Sequence, residues 1–205
     1  MTPRSTERHT IAGPAGALEI AQNVPEHAPR GIALVAHPHP LQGGTLDNKV
    51  AQTLAKTFHA LGYAAIRFNF RGVGHSEGVF DDGDGEAADA LAALAFARSR
   101  FDAGGDSLPV VLAGFSFGAF VQTRVAQSVA AQRLVLVGPA VKRIASPVPA
   151  DTIVIHGEED DVVPLADVFA WARPQPLPVI VFPGCGHFFH GRLLDLQRTI
   201  AGMWQ

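Results

Sequence analysis

The feature that most constrains the fold of this chain is a series of short, unbroken apolar runs rich in β-branched residues: Ile32 to Ala36, Tyr63 to Phe70, Val110 to Ala113, Leu134 to Val137, Ile153 to His156 and Val179 to Phe182. A strand with one face in water alternates apolar and polar residues. A continuous run needs cover on both faces, as a parallel strand between helical layers has. Segments with helical period lie between the runs. Val50, Leu54, Phe58 and Leu61 form one helical stripe, with Thr45 and Asp47 as candidate caps and Gly62 as the candidate residue just past its end. Further helices are expected from about Glu86 to Arg100, from Phe117 to about Ala130, near Ala166 to Ala172, and from Arg192 to Met203. Strand and helix therefore alternate from residue 30 onward, which predicts an α/β fold: a mostly parallel, twisted sheet of about 7–8 strands with helices on both faces. Residues 10 to 30, with Gly13, Gly16, Pro25 and Pro29, predict one or two short strands at the sheet edge. No repeat, low-complexity tract or linker divides the 205 residues, so a single domain is expected.

Composition narrows the function. Sixteen basic against nineteen acidic residues leave no basic excess for phosphates, so neither nucleic acid nor an anionic membrane surface is expected as a partner. An apolar share of 47% with only 17% charged residues excludes a disordered chain. The single cysteine, Cys185, cannot form an internal disulfide or a cysteine zinc framework, and it is expected to be a packing residue. The segment TIAGPAGAL is broken by glycine and proline and closed by Glu19, so it makes a poor signal-peptide core, and nothing approaches 18 consecutive apolar residues. The expectation is a cytoplasmic protein, monomer or homodimer, that acts on small molecules with no cofactor.

Open α/β sheets carry their sites in the loops after strand ends. After Val110 to Ala113 comes Gly114-Phe115-Ser116-Phe117-Gly118 and then a helical segment, so G-x-S-x-G stands between a buried strand and a helix. The turn this demands is so tight that glycines must flank the serine. It would expose the Ser116 hydroxyl at a helix N-terminus, where the Phe117 amide can bind an oxyanion. A serine hydroxyl is a weak nucleophile at neutral pH and needs an imidazole oriented by a carboxylate. Both types occur downstream at strand ends. His156-Gly157-Glu158-Glu159-Asp160-Asp161 follows one run, and Pro183-Gly184-Cys185-Gly186-His187 follows the next. The chain order is Ser116, then Asp160 or Asp161, then His187, with His190 as the alternative base. The glycines at 184 and 186 favour His187 because they permit a tight turn directly off the strand.

Two other segments carry competing readings. In His37-Pro38-His39-Pro40-Leu41-Gln42-Gly43-Gly44 the prolines have no N–H, which leaves His39 or Leu41 as the second oxyanion donor. The pair His37 and His39 lacks a third ligand at recognisable spacing, so a metal centre is not expected, and His37 reads as a structural residue bonded to backbone. In Arg71-Gly72-Val73-Gly74-His75-Ser76-Glu77-Gly78 the spacing departs from a dinucleotide-binding fingerprint. A structural turn with Arg71 paired to an acid is expected there instead.

Taken together, GFSFG, HPHPLQGG, FNFRGVGHSEG, HGEEDDVVP and GCGHFFHGRL resemble the small bacterial serine hydrolases of the α/β-hydrolase superfamily, close to the dienelactone-hydrolase-like and carboxylesterase groups. The resemblance runs from about residue 30 to about 195. It implies that Asp160 is the acid, His187 the base and the Phe117 backbone part of the oxyanion hole. Dienelactone hydrolases proper carry a cysteine where this chain has Ser116, which argues against that specific activity. Only Pro139 to Asp151, 13 residues, stands where many relatives insert a cap, so no cap domain is expected. That leaves a shallow cleft lined by exposed Phe115, Phe117, Phe188 and Phe189, with Phe115 and Phe188 as substrate contacts, and a preference for short or accessible acyl esters without activation at a lipid interface. Thioester or peptide cleavage by the same residues, and a non-catalytic small-molecule binding protein of the same fold, are the alternatives.

Overall fold

In a computed structural model, residues 6–102 and 107–204 are described. The elements run β1 (Glu7–Gly13), β2 (Gly16–Asn23), β3 (Ile32–Ala36), α1 (Lys49–Ala60), β4 (Ala64–Phe68), α2 (Asp84–Phe101), β5 (Val110–Phe115), α3 (Phe117–Val125), β6 (Arg133–Val137), β7 (Ile153–Gly157), α4 (Leu165–Ala172), β8 (Val179–Phe182) and α5 (Leu193–Gly202). The eight strands form one sheet in the order β1-β2-β4-β3-β5-β6-β7-β8. All pairings from β4 to β8 are parallel, and the β1–β2 hairpin is added antiparallel at the β4 edge. None of the helices is long and apolar enough to cross a membrane among the described residues.

The continuous apolar runs have the cover they require. On β3, Ile32, Leu34 and Ala36 face a core with α2 and α3, while Ala33 and Val35 face a second core with α1 and α5. β5 and β6 alternate in the same phase: Val111, Ala113, Val135 and Val137 join the second core. The chain leaves β3 toward β4 on one side and returns to β5 on the other. This reversal leaves a crevice at the carboxyl ends of β3 and β5, where sheets of this kind place their ligands.

Some boundaries differ from those expected. The cap of α1 is Asn48, whose side-chain oxygen accepts from the Val50 and Ala51 amides at 2.9 and 3.3 Å. Thr45 and Asp47 instead form the turn before it. Helix α3 stops at Val125, because the Gln127 and Ser128 amides turn back three residues to Arg124 and Val125 and tighten the chain out of the α-helix. The hairpin begins at Glu7, on an edge strand whose residues are half-buried or exposed.

The glycine-rich turn after β4 is a clamp. The Arg71 guanidinium donates to Asp89 of α2 at 3.1 and 3.0 Å, and Glu19 of β2 accepts from the His75 amide and from Asn69 at 3.0 and 2.7 Å. This ties the hairpin and α2 to the end of β4.

His37, at the end of β3, is fully buried and structural. Its Nδ1–H donates to the Pro38 carbonyl at 2.7 Å, and its Nε2 accepts from the Phe70 amide at 3.1 Å. Only the neutral ring can make both bonds. Burial pushes its pKa down to about 3, against the opposing pull of the Pro38 carbonyl.

Two outcomes follow. Below the ordinary histidine pKa the unfolded chain binds a proton at His37 that the folded chain refuses, so stability is full above that pH and falls as pH drops toward 3. Denaturant melts between pH 7.5 and 5 should show a loss of about 1 kcal/mol per pH unit from this group, and His37→Gln should flatten that slope. An unchanged slope would contradict it. In the elbow after β5, a Cβ on Gly118 would lie 2.4 Å from the His37 carbonyl oxygen and 2.5 Å from that of Ala36. Gly118→Ala should therefore lower the melting temperature by roughly 5–10 °C, about 2–3 kcal/mol, in a calorimetric scan.

Candidate active site

Ser116 sits between β5 and α3 with φ 56 and ψ −116, a left-handed backbone rarely adopted by a residue with a side chain. The surrounding backbone imposes it. A Cβ on Gly114 would meet the Gly118 oxygen at 2.4 Å, so both glycines of the motif are sterically required. The turn places Ser116 as the N-cap of α3, at the positive end of that helix.

The imidazole and the carboxylate arrive from the ends of β8 and β7. These strand ends press together: a Cβ on Gly157 would lie 2.3 Å from the Cys185 oxygen, the Glu159 amide donates to that oxygen at 2.9 Å, and Glu158 accepts from the Gly184 amide at 2.9 Å. Of the four consecutive acids only Asp160 is buried. His187 donates from Nδ1 to Asp160 Oδ2 at 2.6 Å and accepts at Nε2 from the Ser116 hydroxyl at 3.0 Å. His190 is exposed and lies beside the Phe188 ring instead. Gly138, at the end of β6, gives the imidazole its room, since a Cβ there would stand 3.3 Å from the His187 ring.

Asp160 is held on both oxygens. Oδ1 accepts from the Val162 and Val163 amides at 2.9 and 2.7 Å. Burial alone would raise its pKa, but the hydrogen bonds from His187 and the Val163 amide, with the fields of His187 and His156, outweigh it and hold the carboxyl below its ordinary range. His156 on β7 completes the support. This fully buried ring donates from Nε2 to the Val163 carbonyl at 2.8 Å and stands 3.3 Å from Asp160 Oδ2. Burial, with a smaller contribution from His187, keeps its pKa below the usual histidine value despite the nearby carboxylate. Sequence reasoning quotes His156 only as the start of the acid loop. Its place four residues before Asp160, at the last inward position of a strand, was the available signal.

The loop after β3 reaches the same crevice. Gly44 lets it fold back, since a Cβ there would lie 2.2 Å from the Pro38 oxygen, and the Gly44 amide donates to the His39 carbonyl at 3.0 Å. The Leu41 amide donates to the His39 ring at 3.2 Å, whereas the His39 amide donates to no protein acceptor among the described residues. The Phe117 amide, first in α3, has no acceptor within its own helix. Among the described residues neither amide has a backbone acceptor, and both residues line one cavity with Ser116.

The phenylalanines correct the expected cleft lining. Phe115 is 0% exposed, because it shares the inward phase of Val111 and Ala113 on β5, and its ring lies behind His187 at 4.8 Å, out of reach of a substrate. Phe189 is buried as well, against Phe182, and Phe117 packs against Phe70, Phe80 and Phe120 while still contributing to the wall of the cavity at Ser116. Phe188 is exposed beside His187, as expected, and Val162, also exposed, borders both cavities at Ser116. Cys185 is buried in the second core, and burial pushes its thiol pKa up, away from reactivity.

The profile of the family described as Serine aminopeptidase, S33, matches residues 29–152. An uncharacterized protein of Rickettsia prowazekii is 36% identical over 92% of this chain and 84% of its own length. Among solved structures, an alpha-beta serine hydrolase homologue from Coxiella burnetii is 37% identical, with 97% of each chain covered and a TM-score of 0.87. A serine hydrolase without lid from Xanthomonas campestris is 35% identical, with 98% of this chain and 94% of that one covered and a TM-score of 0.89. The present chain joins β6 to β7 by a short segment with no inserted cap. With the fold, the strained serine elbow and these matches in agreement, the chain belongs to the S33 serine aminopeptidase family of α/β serine hydrolases, in its lidless form.

Proposed function

We propose that this serine hydrolase cleaves carboxylic esters of short or accessible acyl groups through an acyl-enzyme on Ser116, with His187 as base and then acid and Asp160 as the group that holds its tautomer. The observation that carries the reading is the unbroken hydrogen-bond line from Ser116 Oγ through His187 to Asp160. In the first half-reaction the Ser116 oxygen bonds to the carbonyl carbon while His187 Nε2 takes its proton. The negative oxygen of the tetrahedral intermediate lies against the Phe117 and His39 amides. Nε2 then passes the proton to the departing alcohol oxygen as the ester C–O bond breaks. Water repeats the sequence on the acyl-enzyme and releases the acid. Asp160 stays ionised throughout, in keeping with its depressed pKa. No step calls for a metal or cofactor.

Cleavage of peptides by the same residues is the second reading, suggested by the family description. An aminopeptidase needs an acid to hold the free amino group of its substrate. The cavity at Ser116 that runs between Val141 and Pro164 has Asp167 as the acid in its lining, already paired to Lys142 at 2.9 Å, which favours the ester.

Rates for an oxygen ester, a thioester and an anilide of one acyl group should fall in that order. Faster cleavage of an anilide bearing a free α-amine would move the assignment to peptidase. Ser116→Ala should lower turnover by about 10⁶-fold and Asp160→Asn by roughly 10⁴-fold. Asp161→Asn, on an exposed side chain, should leave it near normal. A normal rate in Asp160→Asn with loss in Asp161→Asn would show that the acid is misassigned.

A further inference from the structure

Two cavities meet at Ser116, and they are unequal. The larger, about 250 Å³, runs between the segment after β6, with Val141 and Arg143, and the acid loop at Val163 and Pro164. The smaller, about 110 Å³, lies between Gly43, Asn48 and Phe188, and it is the one that His187 borders. This matters because the imidazole must hand its proton to the leaving oxygen. The leaving group therefore occupies the side on which the His187 ring is open, and the carbonyl oxygen is drawn toward the His39 and Phe117 amides. The acyl chain is left with the larger cavity.

The lining of that cavity is mixed: Phe117, Val141, Val163 and Pro164 supply apolar wall, and Arg143 and Lys142 supply charge. Arg143 is held in place rather than free to swing away: its guanidinium lies over the Phe117 and Phe120 rings, 5.6 and 6.0 Å from their centroids, and donates to Asp82 at 2.5 Å. Lys142 is likewise tied to Asp167. An apolar chain gains from burial until it reaches these ion pairs. Beyond that point it strips water from charged groups without replacing their hydrogen bonds, which is unfavourable.

We infer that the site takes esters whose bulk lies on the acyl side: an acyl chain of intermediate length in the larger cavity and a small alcohol in the smaller one. The inference rests on the ester reading given above. It makes Val141 and Arg143 the residues that set acyl length, and Phe188 the residue that limits the alcohol.

The test compares two series of soluble esters on the whole protein, both below their micelle concentrations: methyl esters of acids from acetate to decanoate, and acetates of alcohols from methanol to decanol. In the methyl series kcat/KM should rise by about fourfold per methylene, pass through an optimum at intermediate length and then fall. In the acetate series it should stay level or fall beyond small alcohols. Val141→Trp, which fills the larger cavity, should cut the ratio of methyl hexanoate to methyl acetate by at least roughly tenfold. Phe188→Ala should raise hexyl acetate relative to methyl acetate. A rise in the acetate series with a flat methyl series would reverse the assignment and overturn the inference, as would a Val141→Trp effect confined to the alcohol series. Hydrolysis of neither series would overturn the ester reading and this inference with it, an outcome that differs from a reversed preference.

Discussion

The site depends on one close approach of backbone to backbone. The first turn of α3 lies so near the end of β3 that Gly118 has no room for a Cβ beside the Ala36 and His37 carbonyls, and Gly114 none beside Gly118. With both sides closed, the residue between them must take a left-handed backbone, and Ser116 does so at φ 56. The strain is sustained because β3 and β5 are paired in register along their length and buried on both faces. The same approach brings the His37–Gly44 loop next to the serine. Ser116 and that loop share a cavity because one helix is packed tightly on one strand end.

The other half of the site is assembled by hydrogen bonds between loops. The ends of β7 and β8 are linked through Glu158, Glu159 and Cys185, which sets Asp160 and His187 face to face. A carboxylate this buried would normally resist ionisation. Two amides and two imidazoles around it supply what water would have supplied, and the charge is retained where His187 needs it. His37, whose pKa lies near 3, and His156 remain neutral for the opposite reason: burial outweighs every nearby acceptor. Each of these two rings holds a loop through a backbone partner, whereas His187 faces the serine.

The legible parts were those governed by strong and local demands. Continuous apolar runs announce strands covered on both sides, and the parallel sheet follows. The serine elbow is legible because so few sequences satisfy its sterics. The cap of α1 was harder, since Thr45, Asp47 and Asn48 are all capping types and only the chain path after β3 decides among them. Helix α3 has no breaker between Val125 and Ala130, so its early end at a tightened turn left no mark in the sequence. The phenylalanines near the site suggested an aromatic cleft, yet strand phase turns Phe115 inward, core packing takes Phe189, and Phe117 is packed into the core while still bordering the cavity. The choice between the His39 and Leu41 amides was closed to sequence reasoning, because it turns on a single bond from Leu41 to its neighbour's ring.

Activation of Ser116 by His187 in this elbow is open to a direct chemical probe. Labelling with a fluorophosphonate, followed by mass spectrometry of the digested protein, tests it most directly. One covalent adduct is expected, on Ser116, formed by the native chain and absent from His187→Ala. No adduct on the native chain, or an adduct on Ser116 that persists undiminished in His187→Ala, would contradict it.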